Sequence, residues 1–490
     1  MLDQAHLDTL SSGAMRLLDV FRSVADSALV AGYAVALLLN KYLSDASTAI
    51  ASATFDHEFE RDVWGAKFAK VPARAHFLSL CSSLHEPGIG NRINNALRDI
   101  ERENPELGGV WECVDFESSV LGNRDQRDRI LAQAIDSLNS EAFSFSPFNE
   151  DDQEAAAALC RILLTGGGKH RGDFWSPLSL CELMARLMRP RSRELICNPF
   201  CKTGLDLIMC NKIARRESDG AVGALYGQEA NGTAWALAKM TMMLHGETDV
   251  HLQWGDSLRF PYLEAPGQLQ TFDVVLSTPG WAIKDWGHES AVFDPFNRYW
   301  RGVPPKASGD YAVISHMIST LRPEGRMAVV VPLGVLSRGA VEQQIRKQLI
   351  EENLIDAVIA LPPKLFGHTG ISTAILVVRK RKADDRILLI DASRNFEAGK
   401  TQNILRAEDV GRIDATYHNR EVIEQYSRLL SKDEVAANQY NLSVARYFNA
   451  VEQAPETDLA ALQAERVWLS EELSLLEKKL ATLSREVGHG

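Results

Sequence analysis

Positive charge is scarce in this sequence. Its 490 residues hold 53 Lys and Arg against 65 Asp and Glu, a formal net charge of −12. That balance argues against a protein that grips nucleic acid over its whole surface unaided. It leaves room for one local basic groove, or for a partner that carries the positive charge. Long apolar runs are missing too. The longest, Ala28 to Leu39, has 12 residues, against about 20 needed to span a bilayer, and reads as a buried helix. The opening MLDQAHLDTL lacks the basic and then apolar pattern of a secretory signal, so a cytoplasmic location is expected. Seven cysteines make an odd, scattered set that suits reduced thiols. Cys197 and Cys201 are followed by no Cys or His pair at zinc spacing, so no metal is expected.

What is present describes an ordinary globular chain. Hydrophobic residues at 45% and charged residues at 24% exclude a disordered or collagen-like polymer. The length allows about two to four domains at roughly 100–200 residues each. Residues 1–150 are expected to be a helical N-terminal domain. There Leu17, Leu18, Val20 and Phe21 lead into the apolar run and on to Leu39-Asn40-Lys41-Tyr42-Leu43-Ser44-Asp45, without strand-like alternation. From about 155 the texture changes. Short β-rich runs at 194–197, 221–226, 272–276, 326–331, 355–360, 373–378 and 387–390 alternate with amphipathic segments at 204–216, 231–245 and 341–352. Strands alternating with helices predict an α/β core over 151–395 with an open, mostly parallel, Rossmann-like sheet. Residues 396–450 form a mixed, polar C-terminal extension.

Residues 451–490 differ again. Leu459, Leu462, Leu469, Leu473, Leu476, Leu480, Leu483 and Val487 fall on alternating three-and-four spacing, with Arg466 the polar exception. This predicts a coiled-coil helix about 42 Å long. One helix cannot bury its own seam, so either another helix of this chain or a partner subunit must cover it.

In an open parallel sheet, ligands sit beyond the carboxyl ends of the strands. The first run ends in Asn198-Pro199-Phe200-Cys201-Lys202-Thr203-Gly204, and the second in Gly227-Gln228-Glu229. An acid closing the second strand can accept from both ribose hydroxyls of a nucleoside cofactor. Asp256, in Trp254-Gly255-Asp256-Ser257, can accept from an adenine amino group. The run at 272–276 then passes into Ser277-Thr278-Pro279-Gly280-Trp281, a turn expected over the reaction centre.

From Gly172 to Ser393 the chain resembles the modification subunit of type I restriction-modification systems, the γ-type N6-adenine DNA methyltransferases. Gly172-Asp173-Phe174-Trp175-Ser176-Pro177 is similar to that family's G-E-F-Y-T-P, which implies cofactor contacts at Phe174 and Ser176. Gly227-Gln228-Glu229, Asn231, Ala236-Leu237-Ala238-Lys239-Met240 and Leu244-His245-Gly246 resemble G-Q-E-x-N…A-L-A-K-M-N…L-H-G. Leu321-Arg322-Pro323-Glu324-Gly325-Arg326 and Pro332-Leu333-Gly334-Val335-Leu336 are similar to L-K-P-G-G-R…P-N-G-V-L. Leu361-Pro362-Pro363-Lys364-Leu365-Phe366 and Thr369-Gly370-Ile371-Ser372-Thr373 resemble L-P-x-x-L-F…T-G-I-P-T. Likeness extends to 39–45, to Tyr440-Asn441-Leu442-Ser443 and to Arg446-Tyr447. The resemblance implies an S-adenosylmethionine-dependent methyltransferase fold with Asn198, Lys202, Gly204, Glu229 and Asp256 around the cofactor and Thr278 to Trp281 at the target base.

The departures bear on activity. The family's D-P-A-C-G-S-G-G is here Asn198-Pro199-Phe200-Cys201-Lys202-Thr203-Gly204-Leu205. Lys202 puts four methylenes and a positive charge where a glycine would let the backbone approach the methionine part of the cofactor. The family's N-P-P-F or N-P-P-Y is here Thr278-Pro279-Gly280-Trp281. In the family, the Asn oxygen and the next carbonyl accept both hydrogens of adenine N6, while an aromatic ring stacks on the flipped base. Trp281 can stack, but Thr278 carries its oxygen on a shorter, branched side chain and Gly280 gives up the second proline. Two readings follow. The first is a DNA-engaging subunit of a restriction or phage-defence complex, a pseudoenzyme whose methyl transfer is lost or impaired. The second is an active DNA adenine-N6 methyltransferase.

No replacement motif stands out. Asp294-Pro295-Phe296 follows no apolar strand and reads as a turn; Leu361-Pro362-Pro363 has Leu where the acceptor must be. Gly166-Gly167-Gly168-Lys169 and Gly399-Lys400-Thr401 fail P-loop spacing. Basic residues cluster at Arg186, Arg189, Arg191 and Arg193, at Lys169 and Arg171, and at Arg379, Lys380, Arg381 and Lys382. They are either solvated helix and strand ends or phosphate contacts beside the cleft. The expected partners are double-stranded DNA and a specificity-subunit-like protein held by the C-terminal helix, with no membrane.

Overall fold

A computed structural model of the chain describes residues 4–22, 27–52, 70–139, 143–146, 149–165, 176–218, 220–247, 249–366, 369–400 and 402–448, with Arg466, Leu469, Ser470, Glu472, Leu473 and Leu476. The first element, α1 (Gln4–Arg22), precedes α2 (Ser27–Ser52), which carries the apolar run. There follow α3 (Phe77–Ser82), α4 (Ile89–Glu103), α5 (Arg124–Leu138) and α6 (Glu150–Thr165). From Val30 to Leu39 the hydrophobic side chains of α2 are almost fully buried, because α1, α5 and α6 pack around it. A helix apolar on all sides needs neighbours on all sides. The polar residues that follow the run pin other segments to it. Asn40 Nδ2 donates to the Ala75 carbonyl (3.1 Å), Ser44 Oγ accepts from Phe77 N (2.9 Å), and Lys41 pairs with Asp45. The helical texture runs past the expected change near 150, since Ala155 to Leu164 of α6 pack into this same cluster.

The α/β part comprises α7 (Leu178–Met188), β1 (Leu195–Asn198), α8 (Leu205–Glu217), β2 (Ala224–Glu229), α9 (Gly232–Leu244) and β3 (Val250–Trp254). A small hairpin, β4 (Leu263–Ala265) with β5 (Gln268–Leu269), leads to β6 (Phe272–Ser277), α10 (Asp310–Ser319), β7 (Leu321–Pro332) and α11 (Ala340–Glu351). Then come β8 (Ile355–Ala360), β9 (Thr373–Arg379), β10 (Ile387–Asp391), α12 (Ala407–Asn419), β11 (Ser427–Leu430) and α13 (Lys432–Ala437). Nine strands form one sheet in the order β11-β10-β8-β9-β7-β6-β1-β2-β3. Pairing is parallel from β3 through to β7 and between β8 and β10, while β9 runs antiparallel between β7 and β8, and β11 antiparallel at the edge. The chain winds outward from β1 to β3, then returns to β6 on the other side of β1. That reversal opens a crevice at the carboxyl ends of β1 and β6, where open α/β sheets bind ligands.

The basic clusters lie at the opposite end. In the register, Ile196 faces Val274, Val274 faces Arg326 and Arg326 faces Arg379, all at the amino-terminal level of the parallel strands. Arg326 donates to the Arg189 carbonyl (2.8 Å) and to Glu194, Arg186 pairs with Glu182 (2.6 Å), and Arg379 pairs with Asp356 (3.1 Å). Lys380 and Lys382 donate to the carbonyls of Leu321 and Ile355, and Arg381 pairs with Glu324. Of the two readings of 186–193 and 379–382, this placement favours helix and strand ends: Arg186, Arg379, Lys380, Arg381 and Lys382 tie off the far edge of the sheet, away from the crevice. Lys169 and Arg171 lie outside the described residues.

A second compact unit spans Ala445–Gly490 and begins with α14 (Ala445–Phe448). Most of the expected heptad seam, including Leu459, Leu462, Leu480, Leu483 and Val487, lies outside the described residues. Leu469, Leu473 and Leu476 are described, and are 51%, 59% and 55% exposed. Among the described residues no helix is long and apolar enough to cross a membrane.

Candidate cofactor and catalytic site

The loop after β1 is built by its own polar atoms. Asn198 is fully buried; its Oδ1 accepts from Phe200 N (3.0 Å) and its Nδ2 donates to Asp206 Oδ2 (3.1 Å). Cys201 N donates to the Gln228 carbonyl (2.9 Å), and Lys202 N to Glu229 Oε2 (3.0 Å). Lys202 sits at φ +51° and Gly204 at φ +77°, both left-handed. The chain thus keeps at 202 the backbone conformation that suits the glycine of the resembled family, at a cost of about 1 kcal/mol for a residue with a Cβ. The lysine side chain is half-buried.

Gly204 has a second constraint, since a Cβ there would stand 2.5 Å from Met242 Cε on α9. Gly204→Ala is expected to cost about 1–3 kcal/mol from left-handed strain and overpacking, read as a lower unfolding midpoint.

Glu229 closes β2 as expected. Its Oε1 accepts from Asn231 N (2.8 Å) and its Oε2 from Lys202 N. Burial pushes its carboxyl above the usual range, opposed by these two N–H groups and by the Lys202 charge. A carboxylate has about four lone-pair sites, so acceptor capacity remains for a ribose hydroxyl. Next to it Gln228, buried at the end of β2, donates through Nε2 to the Phe260 carbonyl (2.7 Å), and its Oε1 lies 2.8 Å from Ser257 Oγ. Ser257 also bonds the Pro199 carbonyl. These two residues lace the loops after β1, β2 and β3 together. Asp256 spends Oδ1 on Leu258 N (2.9 Å), and its Oδ2 lies 3.6 Å from Arg259 Nε.

At the end of β6, Thr278 is 1% exposed and its Oγ1 is buried without a hydrogen-bond partner, as is Ser277 Oγ. Pro279 is buried and Gly280 exposed, with open space for 4 Å around the point where a Cβ would stand. Trp281 meets Phe366 edge to face at 5.0 Å and 87°, and its Nε1 is buried without a partner. Beyond it, Ala282 N donates to Asp310 Oδ1 (2.9 Å), and Arg338 pairs with Asp310 (2.8 Å). The structure brings Asn198, Lys202, Gly204, Glu229, Asp256 and Thr278 to Trp281 to one end of the sheet. Ser176 is buried just before α7; Phe174 lies outside the described residues. Asp294 forms a buried ion pair with Arg298 (2.7 Å) in a turn and supplies no replacement motif.

Three contributors were not singled out from the sequence. Asp206 pairs with Asn198, Asp310 anchors the turn after Trp281, and Ser257 bridges two loops. Asp206 and Asp310 open helices, where an acid suits the helix dipole, and that was the readable signal. Among the described residues no group of His, Cys, Asp and Glu is placed to hold a metal ion.

These residues fit S-adenosylmethionine unevenly. Glu229 and Asp256 keep acceptors for its adenosine half. Its methionine half would meet Lys202, whose charge already acts on Glu229 and on the buried Asp206. A second cation beside a sulfonium does not suit that half.

Comparison with known proteins supplies the family. Residues 161–456 match the family model for N-6 DNA methylase. The chain is 27% identical over 414 residues to the type I restriction enzyme MpnII methylase subunit of Mycoplasma pneumoniae, covering 79% of this chain and 76% of that protein. It is 25% identical over 423 residues to the HindI methylase subunit of Haemophilus influenzae, covering 81% and 94%. Among solved structures, the type I restriction-modification methyltransferase subunit from Streptococcus thermophilus superposes with a TM-score of 0.78 at 25% identity. It spans 91% of this chain and all of that one. The sheet order and these likenesses agree on an S-adenosylmethionine-dependent methyltransferase-like α/β fold.

Proposed function

The chain belongs to the N-6 DNA methylase family, as a modification subunit of the type I restriction-modification kind. From that premise we propose that it engages double-stranded DNA alongside partner subunits while its own methyl transfer is lost or impaired. One observation carries the reading. The hydroxyl of Thr278, the side chain standing where an acceptor for adenine N6 is needed, is buried and bonds to nothing. A buried hydroxyl on Cβ offers no aimed oxygen to an incoming amino group. Trp281 still offers a ring to stack on a flipped base, so base engagement without methylation is the chemistry left to this turn.

The partner is a specificity-subunit-like protein that covers the C-terminal leucines, in a restriction or phage-defence complex in the cytoplasm. The exposure of Leu469, Leu473 and Leu476 supports that assembly role. The net charge of −12, with the described basic clusters at the far edge of the sheet, supports a division in which partners supply much of the phosphate contact.

The test is long-read sequencing of host DNA with and without this gene and its neighbours. The expected result is that no N6-methyladenine motif depends on this chain. A second reading, an active adenine-N6 methyltransferase, has support in Glu229, Asp256 and the preserved left-handed backbone at Lys202. A dependent motif abolished by Thr278→Ala would establish it instead.

A further inference from the structure

Other cations stand at the crevice end of the sheet. Lys364, Arg394 and Lys400 are exposed, and their side chains meet no ion-pair or hydrogen-bond partner among the described residues. All three belong to loops that follow β8 and β10. These strands are parallel neighbours with Ala360 beside Asp391, so the chain leaves both side by side, and Ala392 N donates to the Ala360 carbonyl (3.1 Å). The loops are then fastened to each other. Asn403 N donates to the Lys364 carbonyl (2.9 Å), Asn403 Nδ2 to that of Pro363 (2.8 Å), and Gln402 Nε2 to that of Leu365. Glu397 pairs with Ile404 as a bridge, and inside it Gly399 closes so tightly that a Cβ would stand 2.0 Å from the Gln402 carbonyl oxygen. Lys400 therefore sits at the tip of an anchored turn. The acids of these loops are engaged elsewhere. Asp391 Oδ1 accepts from Ser393 N (3.1 Å), Glu408 and Asp409 pair with Arg406 (2.6 and 2.9 Å), and Glu397 acts on the same Arg406 charge.

Exposed cations are ordinary; the place of these three relates them to Trp281. The loop after β8 reaches back to Trp281 through Phe366, and Lys364 stands two residues before that ring. β10 lies four strand positions from β6, which carries the Trp281 turn, a span of about 19 Å at about 4.8 Å per strand. A duplex rises about 3.4 Å per base pair, so this span covers about six base pairs beyond a base stacked on Trp281. We propose that Lys364, Arg394 and Lys400 form a phosphate track, on which this chain holds the DNA backbone flanking the base engaged at Trp281. Such contacts fix register and orientation without reading sequence, which leaves that task to a partner. The proposal rests on the reading that the chain engages duplex DNA, and it is indifferent to whether methyl transfer survives.

Fluorescence anisotropy tests this, with the complex of the full chain and its partner subunits titrated against a labelled duplex of about 30 base pairs across a range of salt. Each phosphate contact adds about 0.9 to the slope of log affinity against log salt, so Lys364→Gln, Arg394→Gln and Lys400→Gln together are expected to reduce it by about 2.7. Between about 50 and 200 mM salt the native complex then weakens about 40-fold more than the triple variant. These side chains hold nothing in place, so the substitutions should leave the fold intact. Lys364→Arg, Arg394→Lys and Lys400→Arg together keep the charges and are expected to keep the native slope. Arg189, Arg191 and Arg193 are the matched control: they too are exposed without side-chain partners among the described residues, but they precede the amino end of β1. Their Gln variants are also expected to keep the native slope. A native slope in the Lys364, Arg394 and Lys400 variant, or an equal loss in the control, would overturn the track and leave DNA engagement standing. So would release of a partner subunit from the variant on gel filtration, which would assign these loops to protein contact. Failure of the native complex to bind the duplex would remove both the track and the reading beneath it.

Discussion

Adding Thr278→Asn to a chain that already carries Lys202→Gly and Gly280→Pro is expected to raise adenine-N6 methylation by about 10²–10³-fold over the double variant, the usual worth of one aimed hydrogen-bonding group. Threonine fixes its oxygen on Cβ, where it is buried; asparagine carries its oxygen one carbon further along the side chain. The other two changes prepare the ground. Gly280 has open space around a Cβ and does not depend on a left-handed φ, and proline there is expected to stiffen the turn before Trp281. Glycine at 202 removes a cation from the methionine half and suits the conformation already present. Methyl incorporation into DNA by the complex assembled with its partners is the measurement. A triple variant that binds S-adenosylmethionine but methylates no faster than the double would place the lesion outside these three positions.

Arg346→Ala is expected to cost about 3–5 kcal/mol, from buried carbonyls left unpaired at about 1–3 kcal/mol each and from the cavity that remains. Arg346 on α11 is 2% exposed. Its Nε donates to the Tyr440 carbonyl (2.6 Å), and its Nη1 to those of Val335 (3.2 Å) and Arg338 (3.1 Å). Removing it strands the carbonyls of Tyr440 and Arg338 and leaves a cavity beside Tyr311, whose hydroxyl still donates to the Val335 carbonyl (3.0 Å). The two stretches it joins, 332–338 and 440–443, include segments that resemble the type I modification subunits (332–336 and 440–443), and Leu442 N bonds the Leu336 carbonyl besides (2.9 Å). Denaturant midpoints together with proteolysis near 438–444 would register the loss. Arg346→Lys keeps the charge but only one nitrogen, and should recover part of it. Full stability in Arg346→Ala would refute this account of the segment.

The strands buried on both faces were readable as apolar runs, and β8 begins and ends where its run does. Where burial is partial, the signal fades. Val250–Trp254 lies at the sheet edge with His251, Gln253 and Trp254 exposed, so β3 shows no apolar run, and the hairpin of β4 and β5 is too short to mark itself. Strand direction is a different matter. No helix lies between β8 and β9 among the described residues, and a parallel neighbour needs a crossover, so the missing helical pattern between 361 and 372 was the available sign that β9 runs backward. The acids at strand ends stood out because few residue types serve a ribose. The arginines could not be placed, because charge runs say nothing of which end of a sheet they occupy. Likewise, Asn198 and Asp206 are a pair only once the loop is folded.

One helix carries a thermodynamic consequence. On α9, Trp235, Ala236, Leu237, Met240 and Leu244 are buried with the N-terminal helices, whereas Ala238 and Met242 are buried with the sheet. Neither body can melt and leave the other's core complete, so heat should find a single transition across Gln4 to Leu430 rather than two. The same helix starts at Asn231, whose N–H is held by Glu229. Whatever occupies the cleft therefore loads both bodies at once, and a ligand bound at the strand ends should slow amide exchange in α2, which it never touches.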